Sequence, residues 1–211
     1  MTAKRQIHIR SIAVIALSYL VGLVAYPNIP GLFMQQKPLP HLIVAFALPT
    51  ATLVIYTLFR SLWTHDRVRT GNGAFEATYH AIVFRTLVFV CALHVVVMVL
   101  LTDAMDAVGI RSWGGRGVIV LLGLTIVAIG NLLPRTRPNV AFGLRTRRTL
   151  TDVQLWQQVH RVGGYLAVTI GILTAIGGLM VRPMVGISAV FLSTLLASAI
   201  LFVTYRKHAN T

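Results

Sequence analysis

The chain has 211 residues, of which 56% are apolar and 11% are charged. Soluble domains carry about 25% charged residues, so the composition excludes an ordinary soluble protein and predicts one membrane domain over residues 1–211. The formal net charge is +14, but the arginines lie between long apolar runs and not on an amphipathic soluble face. Anionic lipids are therefore the expected counter-charge, and direct nucleic-acid binding is not expected.

Six apolar stretches are suited to crossing a bilayer, whose core of about 30 Å needs about 20 residues of helix. We predict an all-helical, polytopic six-span bundle with spans near 11–27, 41–62, 79–101, 116–133, 162–181 and 184–205. Span one ends at Tyr26-Pro27 without a small-residue cleavage site, which favours an uncleaved helix. Pro49 is expected to kink span two. Only Arg182-Pro183 separates the last two spans, which predicts a tight hairpin. No internal repeat of the kind found in many transporters is visible.

The distribution of Lys and Arg between the connections predicts the orientation. With the amino terminus inside, fourteen basic residues are cytoplasmic and four are outside, namely Lys37, Arg111, Arg116 and Arg182. We therefore expect both termini, and the connection between spans four and five, to be cytoplasmic.

Small residues recur at three- and four-residue spacing in the last two spans. They are Gly164, Ala167, Gly171, Thr174 and Gly178 in span five, and Gly186, Ala189, Ser193 and Ala197 in span six. Small residues let membrane helices approach closely, so the last two spans are expected to pack tightly. A permeation path along this stripe is the less favoured alternative.

The connection between spans four and five begins GNLLPRTRPNVAFGLRTRRTL, with five arginines and no acidic residue. Thr151 and Gln154 have the spacing of a capping box, and Asp152 suits the positive end of a helix. We expect a short amphipathic cytoplasmic helix here, carrying Trp156 at headgroup level and leading into span five. Positive-inside orientation explains the charge, but the planar fork of arginine also binds carboxylate or phosphate at two points. The sequence therefore favours a folded binding loop.

The pattern GN-LP--RPN---G-RT--TL-----W---HR--G, at residues 130–164, resembles the signature of the SdpI family of bacterial membrane immunity proteins. The resemblance implies a six-span protein of the bacterial inner membrane with cytoplasmic termini. It also implies protection against a secreted, membrane-active peptide toxin met on the outer side. Signalling through a cytoplasmic repressor held at the membrane is a further implication.

The resemblance assigns binding roles to the patterned residues of the loop. These are Asn131, Pro134, Arg137, Pro138, Asn139, Gly143, Arg145, Thr146, Thr149, Trp156, His160 and Arg161, with Leu150 and Gly164 also matching. The chain departs from the family pattern at Arg147-Arg148, after the RT pair, and at Val159, before the HR pair. The first outer loop, YPNIPGLFMQQKPLPH, keeps the family's prolines and His41 but lacks its acidic residues.

Two ionisable residues inside span three are further candidates. Arg85 is expected to extend to the cytoplasmic headgroups, with a buried contact to the loop or to Glu76 as the alternative. His94 is expected to be a neutral histidine bonded across helices, with a functional role as the alternative. No other histidine matches its depth, and no histidine pair has helical ligand spacing, so no metal site, haem or other cofactor is expected.

We therefore interpret the sequence as a non-enzymatic immunity or sensor protein. A small transporter or channel is the first alternative. A lipid-headgroup enzyme that uses His160 as its base is the second, although only Asp152 is placed to partner that histidine.

Overall fold

The computed structural model describes residues 3–29, 41–70, 76–102, 111–180 and 183–209, and within them it contains seven α-helices and no strand. The helices are α1 (Ala3–Ala25), α2 (His41–Thr70), α3 (Glu76–Leu101), α4 (Arg111–Gly130), α5 (Arg147–Thr151), α6 (Val153–Met180) and α7 (Pro183–Ala209). Six of them have 20 to 30 residues. Since 20 residues of helix span about 30 Å, each of the six is long enough to cross a bilayer core. The predicted all-helical class is confirmed.

Five segments are both long and apolar enough to cross a membrane: His8–Asn28, His41–His65, Glu76–Leu101, Trp113–Arg135 and Val153–Met180. In the described part of α7, Val190–Arg206 is a shorter apolar helix. Leucines, isoleucines and phenylalanines stay exposed along these segments, and hydrocarbon is the solvent that such surfaces require. The chain is a multi-pass membrane protein.

The bundle has two ends with different cores. At one end Tyr56 and Trp63 of α2 pack with Tyr79 and Val83 of α3. Residues Ala141 and Phe142, from the connection between α4 and α6, pack against this cluster. We call this end the loop side. At the other end, the far side, Ala45 of α2 packs with residues of α1 and α3.

The closest helix pair is α4 with α6, and glycines make it possible. A Cβ on Gly171 would lie 2.7 Å from the Gly123 carbonyl oxygen, and one on Gly130 would lie 2.7 Å from Ala167 Cβ. Close backbone approach replaces the hydrophobic drive that lipid removes. The small-residue face of α6 was expected to serve packing within the last two spans. The face itself packs on α4, whose Gly123 and Gly130 lie opposite it, while α6 also packs against α7, as expected of the last two spans.

Three sequence-based expectations concern residues outside the described ones. They are the proline-rich outer loop over 30–40, the turn residue Arg182, and the packing of Gly186 and Ala189. Pro183 is the first residue of α7, a position at which its missing N–H costs no helical hydrogen bond. Pro49 lies inside α2 as expected, while its kink stays a prediction.

Candidate functional site: the loop between α4 and α6

The loop begins with a turn that its own side chains hold in place. A 3-10 turn, Leu133–Arg135, follows α4. The buried Asn139 side chain then accepts hydrogen bonds at Oδ1 from the backbone N–H groups of Ala141 (2.9 Å) and Phe142 (2.8 Å). Its Nδ2 donates to the Arg137 carbonyl at 2.7 Å. Asn139 thus satisfies backbone groups that the turn would otherwise bury unpaired.

The short helix α5 is capped at Thr146, not at the position predicted from the sequence. Thr146 and Thr149 form a capping box, with Thr149 N–H donating to Thr146 Oγ1 at 3.1 Å and Thr146 N–H donating to Thr149 Oγ1 at 2.9 Å. The predicted box at Thr151 was wrong, because the Thr151 hydroxyl donates back to the Arg147 carbonyl of its own helix.

Asp152 caps α6, as its charge predicted. Its Oδ1 accepts from the N–H groups of Gln154 (2.8 Å) and Leu155 (3.0 Å), and a carboxylate is favoured at the positive helix end. The helix then runs unbroken from Val153 to Met180. A short helix does precede span five, but it is α5. The expected separate helix around Trp156 is the first part of α6 itself.

Trp156, His160 and Gly143 form the centre of the loop. The rings of Trp156 and His160 stack with centroids 3.8 Å apart at 14°, and both residues are buried. Trp156 Nε1 donates to the carbonyl and hydroxyl oxygens of Thr136, each at 3.2 Å. Trp156 is thus buried inside the protein and fastens α6 to the start of the loop, while its expected position at headgroup level stays a prediction.

Both imidazole nitrogens of His160 are engaged. Nδ1 donates to the Trp156 carbonyl at 2.8 Å, and Nε2 accepts from the Leu144 N–H at 3.2 Å. One neutral tautomer satisfies both bonds. Gly143 has φ +96°, and a Cβ there would overlap His160 Nε2. Glycine is therefore required at 143 by its backbone conformation and by the ring it touches.

The loop is also fastened to the amino-terminal half of the protein. Phe142 stacks on Phe59 of α2, with ring centroids 5.0 Å apart at 23°, and lies 5.0 Å from the ring of Tyr79 in α3. Neither Phe142 nor Thr136 was predicted as a site residue, because their roles arise only from contacts with residues distant in the sequence.

The structure divides the predicted binding residues into two groups. Asn139, Thr149, Trp156 and His160 are buried, while Pro134, Pro138 and Thr146 are partly buried. Among the predicted residues, the exposed side chains are those of Asn131, Arg137, Arg145 and Arg161; the neighbouring Arg135, Arg147 and Arg148, to which the resemblance assigned no role, are exposed as well. The buried and partly buried residues, together with Gly143, hold the loop in its conformation, and the exposed residues face outward from it. Arg145 also donates from NH1 to the Val140 carbonyl, which orients its side chain.

Arg85 and His94, the two ionisable candidates in α3, form hydrogen bonds with other helices and not with each other. Arg85 donates from NH1 to the Ala128 carbonyl near the end of α4. A continuing α-helix would pair that carbonyl with Leu132 N–H, which donates to Ile129 instead. A cation at a helix carboxyl end is favoured. The contact that the structure gives Arg85 is therefore with α4 and not with Glu76, while the expected headgroup contact stays a prediction.

His94 is fully buried, and its Nδ1 lies 3.1 Å from Ser18 Oγ of α1. This is the cross-helix bond expected of it, with Ser18 as the partner that the sequence did not indicate. Nε2 has no hydrogen-bond partner among the described residues. Those residues also contain no group of three or more His, Cys, Asp or Glu side chains that could hold a metal ion.

Residues 135–205 match the family model of the SdpI/YfhL protein family, which supports, over that segment, the resemblance to the SdpI family that the loop motif indicates. The matched segment is about a third of the chain. It includes the loop from Arg137 to Arg161 together with α6 and most of α7, but not Arg85 or His94. No curated protein and no solved structure matches the chain.

Proposed function

We propose that this protein is a membrane immunity or sensor protein of the SdpI family. It protects the cell against a secreted, membrane-active peptide, and its loop docks an acidic partner such as a cytoplasmic repressor. The amino terminus, the carboxyl terminus and the loop are cytoplasmic, as the excess of basic residues on the loop side predicts.

The observation that carries the proposal is a fixed loop with outward-facing arginines. The buried part of the loop satisfies its own polar groups, so the backbone beneath the arginines is rigid. Residues 130–164 contain six arginines and one acidic residue, Asp152, and the Asp152 carboxylate is engaged at the start of α6. Pre-organised arginines bind carboxylate or phosphate groups with less loss of side-chain entropy.

The lipid-headgroup enzyme is the weaker alternative, because His160 is committed to the loop. Its two nitrogens bond the Trp156 carbonyl and the Leu144 N–H, so a proton acceptor is available only if the loop opens. The transporter alternative has one supporting observation, the fully buried polar ring of His94 inside α3, which is bonded to Ser18 of α1. Flux into liposomes that is lost in His94→Ala would favour it.

Survival in a toxin-sensitive host tests the proposal. The host expresses the wild type or the double variant Arg137→Gln, Arg161→Gln, at matched membrane levels, and is challenged with a membrane-active peptide of this class. Glutamine keeps most of the side-chain length and removes the charge. The matched control is Arg10→Gln, Arg60→Gln, which removes two exposed arginines of α1 and α2.

We expect the wild type and the control to protect and the loop variant to lose protection. Equal protection by all three would move immunity to the spans and contradict the role of the loop. If none protects better than an empty vector, the immunity function is refuted for that class of peptide, and the flux assay on His94 decides between the remaining alternatives.

A further inference from the structure

A groove of about 540 Å³ opens between α4, α6, α7 and the loop. Its lining includes Ile126, Leu144, Val159, Ile170, Ala197 and Leu201. Cavities of about 300–1,000 Å³ are typical of small-ligand sites. We infer that the groove holds one acyl chain of an anionic phospholipid, with its headgroup among the arginines at the loop end. The inference does not depend on the proposed function.

The length of the groove matches one leaflet. Along α6 it runs from Val159 to Ile170, a separation of eleven helical steps and therefore about 16 Å at about 1.5 Å per residue. Half of a bilayer core of about 30 Å is about 15 Å. The groove thus begins at the loop and ends near the midplane, which is the depth of an acyl chain in the leaflet on the loop side.

The lining favours a hydrocarbon chain over a polar ligand. The two hydroxyl groups of α7 in the groove are already bonded within the helix: Thr194 donates to the Val190 carbonyl at 2.7 Å, and Ser198 donates to the Thr194 carbonyl at 2.8 Å. His160, at the loop end, has both ring nitrogens engaged. The ligand therefore meets saturated donors and apolar carbon.

The positive charge at the loop end of the groove favours an anionic headgroup. Leu144 and His160 line the groove, and each is followed in the chain by an exposed arginine, Arg145 and Arg161. On α7, Leu201 lines the groove beside Gly163, while exposed Arg206 lies farther toward the same end. The loop, α6 and α7 thus each place a cation at the loop end of the bundle, the level at which the headgroup of a lipid in that leaflet would lie.

Filling the groove tests the inference. Protein purified in detergent and stripped of lipid is incubated with phosphatidylglycerol vesicles, and bound lipid is counted by native mass spectrometry. The filling variant is Ala197→Phe, and the control is Ala199→Phe, because Ala199 is an exposed residue of the same helix that does not line the groove. Ser198→Leu is a second filling variant if Ala197→Phe does not fold.

The wild type and the control are expected to retain one lipid, with the bound fraction at least about tenfold lower in the filling variant. Arg161→Gln is expected to weaken phosphatidylglycerol binding about fivefold, whereas Arg60→Gln leaves it unchanged. Equal retention by the two phenylalanine variants would overturn the inference. Equal binding of phosphatidylcholine would refute the headgroup assignment. Loss of toxin protection with unchanged lipid retention in Ala197→Phe would assign the groove to a peptide instead.

Discussion

Gly143→Ala is the substitution that most sharply tests how the loop is built. The glycine has φ +96°, and a Cβ would overlap Nε2 of His160. Alanine must therefore distort its own backbone and displace the imidazole. Displacement breaks the bond from Leu144 N–H to Nε2 and disturbs the stacking of the ring on Trp156.

Two costs add in this variant. Holding a non-glycine residue in a sparsely populated backbone region costs about 1–3 kcal/mol. Leaving the partly buried Leu144 N–H without a partner costs about 2 kcal/mol more, within the range of about 1–3 kcal/mol for such groups. The sum is about 4 kcal/mol, which corresponds to a fall in Tm of about 10 °C for a chain of this size.

Cys91 provides the assay. It is the only cysteine of the chain and it is buried, so a thiol-reactive dye reports its exposure as the protein unfolds on heating. The control is Gly117→Ala, because a Cβ at Gly117 meets nothing within 4 Å and alanine is favoured over glycine in a helix. We expect an unchanged or slightly higher Tm for the control. A Tm for Gly143→Ala within about 2 °C of the wild type would refute the reasoning.

The same assay checks three further expectations. Thr146→Ala removes the observed cap and is expected to lower the free energy of unfolding by about 1 kcal/mol. Thr151→Ala is expected to lower it by only about a few tenths of a kcal/mol. The reverse order would support the cap predicted from the sequence. A double-mutant cycle of Ser18→Ala and His94→Ala should give a coupling energy of about 0.6 kcal/mol, as for other buried bonds between membrane helices, and zero coupling would contradict that bond. Arg85→Met removes a charged donor from the end of α4 and is expected to lower the free energy of unfolding by about 2 kcal/mol. An unchanged free energy of unfolding would instead indicate that the Arg85 side chain contacts lipid headgroups.

The spans were predictable because hydropathy is a local property of the sequence. Length and apolar content alone indicate helices that cross a bilayer, and the helices α1 to α4, α6 and α7 occupy the six predicted stretches. The partner of each helix was not predictable in this way. Gly171 carries the same small-residue signal whether it faces α7 or α4, and only the matching position of Gly123 decides the pairing.

Within the loop, too, local sequence patterns did not predict which residues contact each other. Thr151 and Gln154 matched the capping pattern better than Thr146 and Thr149, since glutamine is the usual third residue of the box. The adjacent Asp152 changed the outcome, because its carboxylate caps α6 directly and leaves Thr151 inside α5. The contact of Phe142 with Phe59 joins residues 83 positions apart, and no periodicity in the chain signals it.

The central claim is that the exposed arginines of the loop are a recognition surface. A variant that removes their charge without changing the fold of the loop tests this claim most directly. The measurement is survival under peptide challenge for Arg137→Gln, Arg161→Gln, with the Tm of the same variant measured through Cys91. The account predicts lost protection at an unchanged Tm, because both side chains are exposed and the buried residues hold the loop without them. Full protection by this variant, at a Tm equal to that of the wild type, would contradict the claim that the arginines are the recognition surface.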